Sequence, residues 1–247
     1  MTTYPKIAWT FSDTPSGPEK YQKLLKAGVK DLVVPISATK GRLLAGSHHA
    51  SLIRKAGLRL HPCIQTDLSS PIFDTKYFLE ACFELHLKRT MKLTVKLVSN
   101  KEVKDKARRI NQLVNYLAGI VPEENIGIAI DKKDLDSGEF KIEDLPPTLN
   151  VTSFNENKLN SGIEKAGTWI YTNTFEKEHL ALGYDFYGFY TGEQEYQLSL
   201  ESKYISQPGD TWVTIATRHG IWLPKLLQIN NATYSTLIVP GQEIKLS

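Results

Sequence analysis

Four carboxylates follow apolar stretches of strand length and are the best-placed side chains in this sequence for acid–base chemistry. They are Asp13, Asp67, Asp131 and Glu156. A pair of carboxyl groups can break a glycosidic bond, because one protonates the leaving oxygen while the other stabilises, attacks or assists at the anomeric carbon. A separation of about 5 Å suits retention of configuration, and about 6.5–9.5 Å suits inversion. Asp131 is the best single candidate since it directly ends the apolar run 126–130, although all four also fit ordinary roles in loops and caps.

The segments that must position these carboxylates alternate between strand and helix patterns up to residue 192. The predicted strands are 6–11, 32–36, 58–64, 93–98, 126–130, 149–154, 169–172 and 182–190. The predicted helices lie at 21–28, 49–57, 77–87 and 101–121. Such alternation implies a parallel sheet, and eight units in so short a stretch predict an α/β fold with a small closed (β/α)8 TIM-like barrel. The later units have poor helices, so we expect a distorted barrel.

In barrels of this kind, the functional residues lie at the carboxyl ends of the strands. The side chains predicted there are Ser12, Asp13, Ser37, Thr39, Lys40, Gln65, Thr66, Asp67, Lys96, Ser99, Asn100, Asp131, Asn155, Glu156, Tyr171, Asn173, Tyr187 and Tyr190. This polar and aromatic rim suits sugars, whose ring faces stack on aromatic side chains and whose hydroxyls need hydrogen-bond partners.

The C-terminal stretch 203–247 has the pattern of a separate strand–helix–helix–strand unit. A short strand ends at the Pro208-Gly209 turn, and Asp210 stands where a helix N-cap is expected. A first helix ends at Gly220, and a second has Pro224 in its first turn and ends at Asn230-Asn231. A second strand closes the unit after the Pro240-Gly241 turn.

This unit resembles the LysM domain, a module that binds peptidoglycan and chitin. The matching pieces are 208–211 (Pro-Gly-Asp-Thr), 215–216, Gly220, 226–227, 230–231 and 237–242. The resemblance implies a shallow groove for N-acetylglucosamine between two loops. The implied groove residues are Gly209, Asp210, Thr211 and Trp212 on one side, and Ala232, Thr233, Ile238 and Val239 on the other. Taken singly, each also fits a cap, a turn or a core position.

The N-terminal part resembles glycoside hydrolase family 25, the lysozymes of many phages. The resemblance rests on the segment 28–41, where an apolar strand runs into Ser-Ala-Thr-Lys-Gly, on Ala-Gly-Leu-Arg-Leu at 56–60, and on the aromatic late strands. It implies an Asp on the first strand and an Asp-x-Glu on the fourth. This sequence has Ala8, Lys96 and Val98 at those positions, and it contains no Asp or Glu between Thr90 and Asn100. None of the three replacements can supply the acid that glycoside hydrolysis requires.

Bulk properties exclude several other classes of function. The chain has 247 residues and a net charge of +3, too small to indicate nucleic-acid binding but compatible with an anionic cell wall. No phosphate loop, dinucleotide fingerprint or zinc spacing is present, so we expect no cofactor and no metal. No stretch is apolar enough to span a membrane or to act as a signal peptide. Cys63 and Cys82 are too few for a disulfide framework and are interpreted as buried thiols.

We therefore predict a barrel over 1–192, a linker over 193–202 and a LysM domain over 203–247. The expected partner is peptidoglycan or another glycan containing N-acetylglucosamine, reached after release from the cytoplasm by lysis or as part of a particle. Three hypotheses remain: a wall-binding protein with a silent lysozyme-like barrel, an active hydrolase with relocated carboxylates, and a structural or receptor-binding component of a phage or phage-tail-like particle.

Overall fold

Eight strands close into a barrel in the N-terminal part of the chain. The computed structural model describes residues 4–39, 41–87, 91–156, 158–192, 203–219, 221 and 223–246. The barrel strands are β1 (Lys6–Thr10), β2 (Val29–Ala38), β4 (Arg59–Thr66), β5 (Leu93–Leu97), β6 (Ile126–Asp131), β7 (Asn150–Phe154), β8 (Ala166–Phe175) and β9 (Glu178–Asp185). A two-residue strand, β3 (Gly41–Arg42), pairs with the end of β2. The predicted α/β barrel is confirmed.

The sheet is parallel from β1 through β2 and β4 to β8, and it closes through one antiparallel strand. β9 pairs antiparallel with both β8 and β1. The prediction of a fully parallel sheet, with an eighth strand over 182–190, was therefore wrong. Only Glu176 and Lys177 separate β8 from β9, and both have positive φ angles. A turn this tight reverses the chain and leaves no room for a crossover helix, so the two strands must run in opposite directions.

Helices cover the outer face of the parallel strands. They are α1 (Pro18–Lys26), α2 (Leu44–Lys55), α3 (Pro71–Glu84), α4 (Lys106–Ala118) and the short α5 (Lys132–Asp136). α2 begins five residues before the predicted start at His49, and α4 five residues after the predicted start at Lys101. Gly46 permits the close approach of α2 to β2, because a Cβ there would collide with the carbonyl oxygen of Pro35. The late units have only α5 and two 3-10 turns, which agrees with the predicted distortion.

Alternating strand residues build two cores. Outward-facing side chains such as Ala8, Leu32 and Val95 pack with the helices. The inward-facing ones fill the lumen and are Ile7, Trp9, Val33, Cys63, Ala129, Phe154, Ile170 and Ala181. Complete burial of one large apolar side chain stabilises the fold by roughly 1.5–3 kcal/mol, so the lumen is a packed core with its open positions at the ends. Both cysteines are free, with Cys63 buried and Cys82 half-buried.

The segment after β9 closes the amino-terminal end of the barrel. The buried carboxylate of Asp185 accepts hydrogen bonds from the backbone N–H groups of Phe189, Tyr190 and Thr191. The Tyr190 hydroxyl lies 3.0 Å from Thr94 Oγ1 and 3.1 Å from Thr152 Oγ1. Placing Tyr187 and Tyr190 on the rim was therefore wrong: β9 runs against its neighbours, so its last residues lead to the opposite end.

The C-terminal unit has the predicted strand–helix–helix–strand order. Its elements are β10 (Lys203–Ile205), α6 (Trp212–His219), α7 (Leu223–Ile229) and β11 (Glu243–Lys245). β10 and β11 pair antiparallel, and both helices pack on Ile244. The predicted linker 193–202 and Gly220 lie outside the described residues.

Thr211, rather than Asp210, caps α6. Thr211 Oγ1 accepts the Thr214 N–H at 3.1 Å, and Thr214 Oγ1 accepts the Thr211 N–H at 2.8 Å, a reciprocal pair of the capping-box kind. The Asp210 carboxylate turns back instead, and it accepts bonds from the Gln207 N–H at 2.7 Å and the Tyr204 hydroxyl at 2.6 Å. The predicted cap at Asp210 is corrected, because α6 begins one residue later than the pattern indicated.

Candidate functional site

A lysine–aspartate pair lies at the carboxyl end of the barrel, which we call the mouth. Lys96 lies on the inward face of β5, and Asp131 ends the adjacent strand β6. Their Nζ and Oδ2 atoms are 2.7 Å apart, and the ammonium lies 3.8 Å from the centre of the Phe154 ring. The Lys96 side chain is 11 % exposed and that of Asp131 is 29 % exposed. The strongest sequence candidate for an acid is therefore engaged by a cation.

Burial sets the electrostatics of this pair. It lowers the pKa of Lys96 from its ordinary value, and the neighbouring Asp131 carboxylate opposes that change by stabilising the charged amine. The cation–π contact with Phe154 also favours the charged form. Lys96 and Asp131 thus satisfy each other where water is scarce.

Glu156 belongs to the same electrostatic environment. It lies half-buried, two residues beyond the end of β7. Burial raises its pKa, and the negative charge of Asp131 raises it further, while Lys96 and His179 act in the opposite direction. Asp131 and Glu156 are therefore two of the four predicted carboxylates that lie near enough for the charge of Asp131 to act on Glu156.

Asp67 is held in a network of its own after β4. One oxygen accepts the Ser69 N–H at 2.8 Å, and the other accepts Asn100 Nδ2 at 2.9 Å. Burial by itself raises the pKa of Asp67, but hydrogen bonds from Ser69, Asn100 and Thr39 outweigh it and the pKa is lowered. A carboxylate held in its ionised form by these donors organises its loop and is poorly suited to donate a proton.

Asp13 lies at the surface beside His179. Its side chain is 68 % exposed, and its oxygens are 2.8 and 2.9 Å from His179 Nδ1. The His179 ring stacks on Phe11, with ring centres 3.9 Å apart. Sequence reasoning missed His179, because it expected a parallel eighth strand. Recognition of the Glu176-Lys177 hairpin would have placed the start of β9, and with it His179, at the mouth.

The positions expected to carry the hydrolase carboxylates can now be compared with the strands. Lys96 faces the lumen as expected, and Val98 follows on the same side of the strand and is 42 % exposed. Ala8 does not face the lumen: it packs among the helices, and its neighbour Trp9 points inward against Phe154. The expected correspondence on β1 is off by one residue, and strand alternation is the reason. The inward residue is an indole, so β1 still supplies no acid.

The two predicted sides of the C-terminal groove are adjacent. Trp212 Nε1 donates to the carbonyl oxygen of Thr236 at 2.7 Å, which joins the start of α6 to the loop after α7. Trp212 itself is only 6 % exposed, so it holds the loop and offers little ring surface. The exposed predicted positions are Gly209, Thr211, Thr233 and Val239, and the half-buried ones are Asp210, Ala232 and Ile238.

Metal-binding side chains do not converge in the described part of the chain: no three His, Cys, Asp or Glu residues come together as a metal site requires. Within the same residues, no helix combines the length and apolar character needed to cross a lipid bilayer.

Comparison with known families identifies the C-terminal unit. Residues 204–247 match the family model of the LysM domain, and the match spans all four elements of the unit. This unit is a LysM domain. LysM domains bind peptidoglycan and related glycans that contain N-acetylglucosamine, so the protein carries a module of the cell-wall-binding type.

Solved structures show the fold of the barrel. The modular autolysin LytC from Streptococcus pneumoniae superposes with a TM-score of 0.59 and 11 % identity, over 72 % of this chain and 46 % of that one. The catalytic domain of endolysin ply40 from a Listeria monocytogenes bacteriophage has a TM-score of 0.56 and 13 % identity, over 74 % and 94 %. A lysozyme from Streptomyces coelicolor has a TM-score of 0.56 and 10 % identity, over 74 % and 92 %.

At these identities, the likeness establishes a shared barrel fold and nothing finer. The chain spans less than half the length of the pneumococcal autolysin. No curated protein sequence is significantly similar to the chain. The chain thus has a barrel that shares its fold with these three proteins, followed by a LysM domain.

Proposed function

We propose that this protein is a peptidoglycan-binding protein of the phage-lysin type, in which the LysM domain holds the glycan and the barrel does not hydrolyse it. The Lys96–Asp131 ion pair carries this proposal. It puts an ammonium on the inward face of β5, where a muramidase of the family resemblance would have a carboxylate.

The pair is unsuited to glycoside hydrolysis for two reasons. An ammonium lacks a proton acidic enough to assist a leaving alcohol, even though burial lowers the pKa of Lys96. Asp131 gives one oxygen to Lys96 at 2.7 Å, and this charge-assisted bond weakens it as a base or nucleophile. The apolar Val98 supplies nothing in place of a second carboxyl.

The LysM domain supports the binding half of the proposal. Its two groove sides are joined by the Trp212–Thr236 bond, while Thr211, Thr233 and Val239 remain exposed along them. Hydroxyls, backbone groups and an apolar floor are the usual partners of an N-acetylated sugar.

Purified peptidoglycan from several Gram-positive walls provides the test. We expect the full chain to sediment with the walls. We expect the turbidity of the wall suspension and the number of reducing ends to stay at the level of a protein-free sample. Release of reducing ends that scales with protein concentration would refute the silent barrel.

One observation favours a second candidate, an active hydrolase with relocated carboxylates. Burial and the negative charge of Asp131 raise the pKa of Glu156, and glycosidases separate their acid from their base by raising the pKa of one carboxyl of a pair. Glu156 would protonate the leaving oxygen, and Asp131 would assist at the anomeric carbon. Under this candidate, wall hydrolysis occurs and both Glu156→Gln and Asp131→Asn abolish it, whereas Asp13→Asn, at the exposed Asp13, leaves it unchanged.

A further inference from the structure

A second concave surface lies at the end of the barrel opposite the mouth. It is a cavity of about 460 Å³ beside the starts of β4 and β5, closed on one side by the segment after β9. We call it the basal cavity. Its lining includes the cationic side chains of Arg54, Arg59 and Lys92.

Each cation is held in place by neutral or buried partners. Arg59 donates to both oxygens of Asp31, at 2.6 and 2.7 Å, and to the carbonyl of Thr191 at 2.7 Å. Lys92 Nζ donates to the Glu124 carbonyl at 3.0 Å and to Asn125 Oδ1 at 2.6 Å. These bonds fix the charges before any ligand arrives, which lowers the entropy cost of binding.

Arg54 completes the set from the side of α2. Its guanidinium donates to the carbonyl of Leu85, a neutral partner that leaves its positive charge uncancelled.

The carboxylates near the cavity are buried behind this cationic surface. The Asp31 side chain is 1 % exposed and is covered by Arg59 and His61. Asp185 is fully buried and accepts its bonds from the closing segment. Glu124 is a further carboxylate whose negative charge acts on Lys92. Among the described residues, the lining of the cavity therefore carries three cationic side chains and no carboxylate.

His61 lies behind this surface and is 6 % exposed. Its Nδ1 accepts the Lys92 backbone N–H at 3.3 Å, and its Nε2 lies 3.0 Å from Asp31 Oδ1. The ring therefore ties the start of β5 to the buried Asp31 carboxylate.

The aromatic side chains of the cavity are not available for stacking. Phe189 is 6 % exposed and Tyr190 is 3 % exposed, and both are anchored in the lumen core. A ligand there is recognised by its charge and its oxygens, without a ring platform. Guanidinium and ammonium groups at fixed positions suit the oxygens of a phosphate group.

We propose that the basal cavity binds phosphodiester groups of a polyol-phosphate polymer of the bacterial wall. The choice of a wall polymer rests on the proposed wall-binding function. Its flexible, ring-free backbone presents phosphates without bases or sugars that need stacking, whereas single-stranded nucleic acid relies on aromatic platforms for much of its affinity. The protein would then contact the wall at two chemically different places, glycan at the LysM domain and phosphate at the base of the barrel.

The test titrates the full chain with poly(glycerol phosphate), with inorganic phosphate and with a single-stranded DNA oligonucleotide at equal phosphate concentration and low salt. The test variant is Arg54→Gln/Lys92→Gln. The matched control is Lys101→Gln/Arg108→Gln, which removes the same charges from the exposed region before and within α4. Loss of a charge-assisted contact weakens binding by about tenfold or more, so we expect at least that loss for the test variant and no change for the control.

Three results would overturn this proposal. They are equal affinity of the test variant and the wild type for poly(glycerol phosphate), oligonucleotide binding as tight as polymer binding, and inorganic phosphate binding as tight as the polymer. Melting temperatures of both variants are measured alongside. If the double variant melts early, Arg54→Gln alone replaces it, with a several-fold loss expected and an unchanged affinity contradicting the proposal.

Retention on peptidoglycan freed of phosphate polymers separates this proposal from the wall-binding function. The test variant should be retained there like the wild type, because the LysM domain is intact. Failure of all proteins to be retained would instead refute the proposed LysM-based binding, whatever the polymer titration shows.

Discussion

The LysM domain and the barrel differ in what they share with known proteins. The LysM domain shares a sequence pattern, and the barrel shares a fold. The LysM domain matches its family's model over residues 204–247, and in this chain its first helix is capped by Thr211 and its second loop is joined to Trp212. The barrel shares its fold with an autolysin, an endolysin and a lysozyme at 10–13 % identity, and its mouth has Lys96 paired with Asp131. A fold survives as long as apolar residues alternate along its strands, whereas acid catalysis depends on one or two side chains. Binding and hydrolysis can therefore separate within one chain.

The ion pair also shows how the barrel accommodates a lysine among the apolar side chains at its mouth. A lone lysine in the lumen would be costly to bury, and the contacts with Asp131 and Phe154 offset part of that cost. Lys96 is thus part of the packed lumen, whereas the predicted groove positions Thr211, Thr233 and Val239 of the LysM domain are exposed.

The largest effect should follow from removal of residues 203–247. If the LysM domain alone holds the glycan, the shortened chain should lose at least about 100-fold in affinity for purified, phosphate-free peptidoglycan, a change of roughly 2.7 kcal/mol. Sedimentation with the walls measures it, and the thermal unfolding of the barrel checks that the shortened chain is folded. Full retention of the shortened protein on the walls would show that the barrel binds the glycan, which would contradict the assignment of binding to the LysM domain.

Two tryptophan substitutions should separate the regions. Trp212→Ala removes a buried indole and its bond to Thr236, and should cost about 3–5 kcal/mol within the LysM domain and abolish retention. Trp9→Ala should cost a similar amount in the lumen, where Trp9 packs edge-on against Phe154, and leave retention intact. Chemical denaturation and wall sedimentation are measured on both. Loss of retention by Trp9→Ala, with the LysM domain still folded, would show that the barrel contributes to binding.

Substitutions of Lys96 and Asp131 at the mouth should change the free energy of unfolding, as expected of an ion pair that stabilises the fold. Asp131→Asn leaves the Lys96 charge unpaired in the lumen and should lower the free energy of unfolding by about 2 kcal/mol. Lys96→Met should cost less than about 1 kcal/mol, because Asp131 is more exposed and its carboxylate can be hydrated. Asp136→Asn, which removes an exposed partner of Lys132, is the matched control and should stay within about 0.5 kcal/mol. If Asp131→Asn and Asp136→Asn lowered the free energy of unfolding equally, the Lys96–Asp131 pair would contribute nothing to stability.

The smallest effect is a pH dependence that belongs to Lys96. Its pKa is lowered in the folded state by burial, against the Asp131 charge, so between that pKa and 10.5 the unfolded chain binds more protons than the folded one. Stability contributed by this group therefore rises with pH in that window. Denaturation curves should show the wild type gaining on Lys96→Met as pH increases toward 10.5. If the stability of the wild type fell relative to Lys96→Met over this pH range, the pKa of Lys96 would be raised in the folded state instead.

The sequence predicted the barrel because its strands are apolar and alternate with helix patterns, two of which end at glycines with positive φ, Gly28 and Gly57. The antiparallel closure escaped prediction because the hairpin between β8 and β9 lacks glycine and uses Glu176 and Lys177 at positive φ, where such residues are uncommon. That single error displaced Tyr190 to the wrong end and concealed His179. The pairing of Asp131 with Lys96 is a contact across adjacent strands, and it could not be predicted from spacing without knowing the register.

The inward-facing position on β1 was also beyond prediction from the sequence alone. Ala8 and Trp9 point to opposite faces of β1, so an alignment shifted by one residue places the wrong one in the lumen. The resemblance to the hydrolase family was too diffuse to fix the alignment at that level. The LysM domain was easier, because its turns and helix ends depend on a few recognisable residues. Even there, the cap was assigned to Asp210 instead of Thr211, since both types of residue favour that position.

The most direct test of the central claim measures binding and cutting in one sample. The full chain is incubated with phosphate-free peptidoglycan, the walls are sedimented, and the pellet is assayed for protein while the supernatant is analysed for muropeptides by mass spectrometry. The account predicts protein in the pellet and no muropeptides above a protein-free control. Muropeptides that accumulate with time, and that disappear with Glu156→Gln, would contradict it.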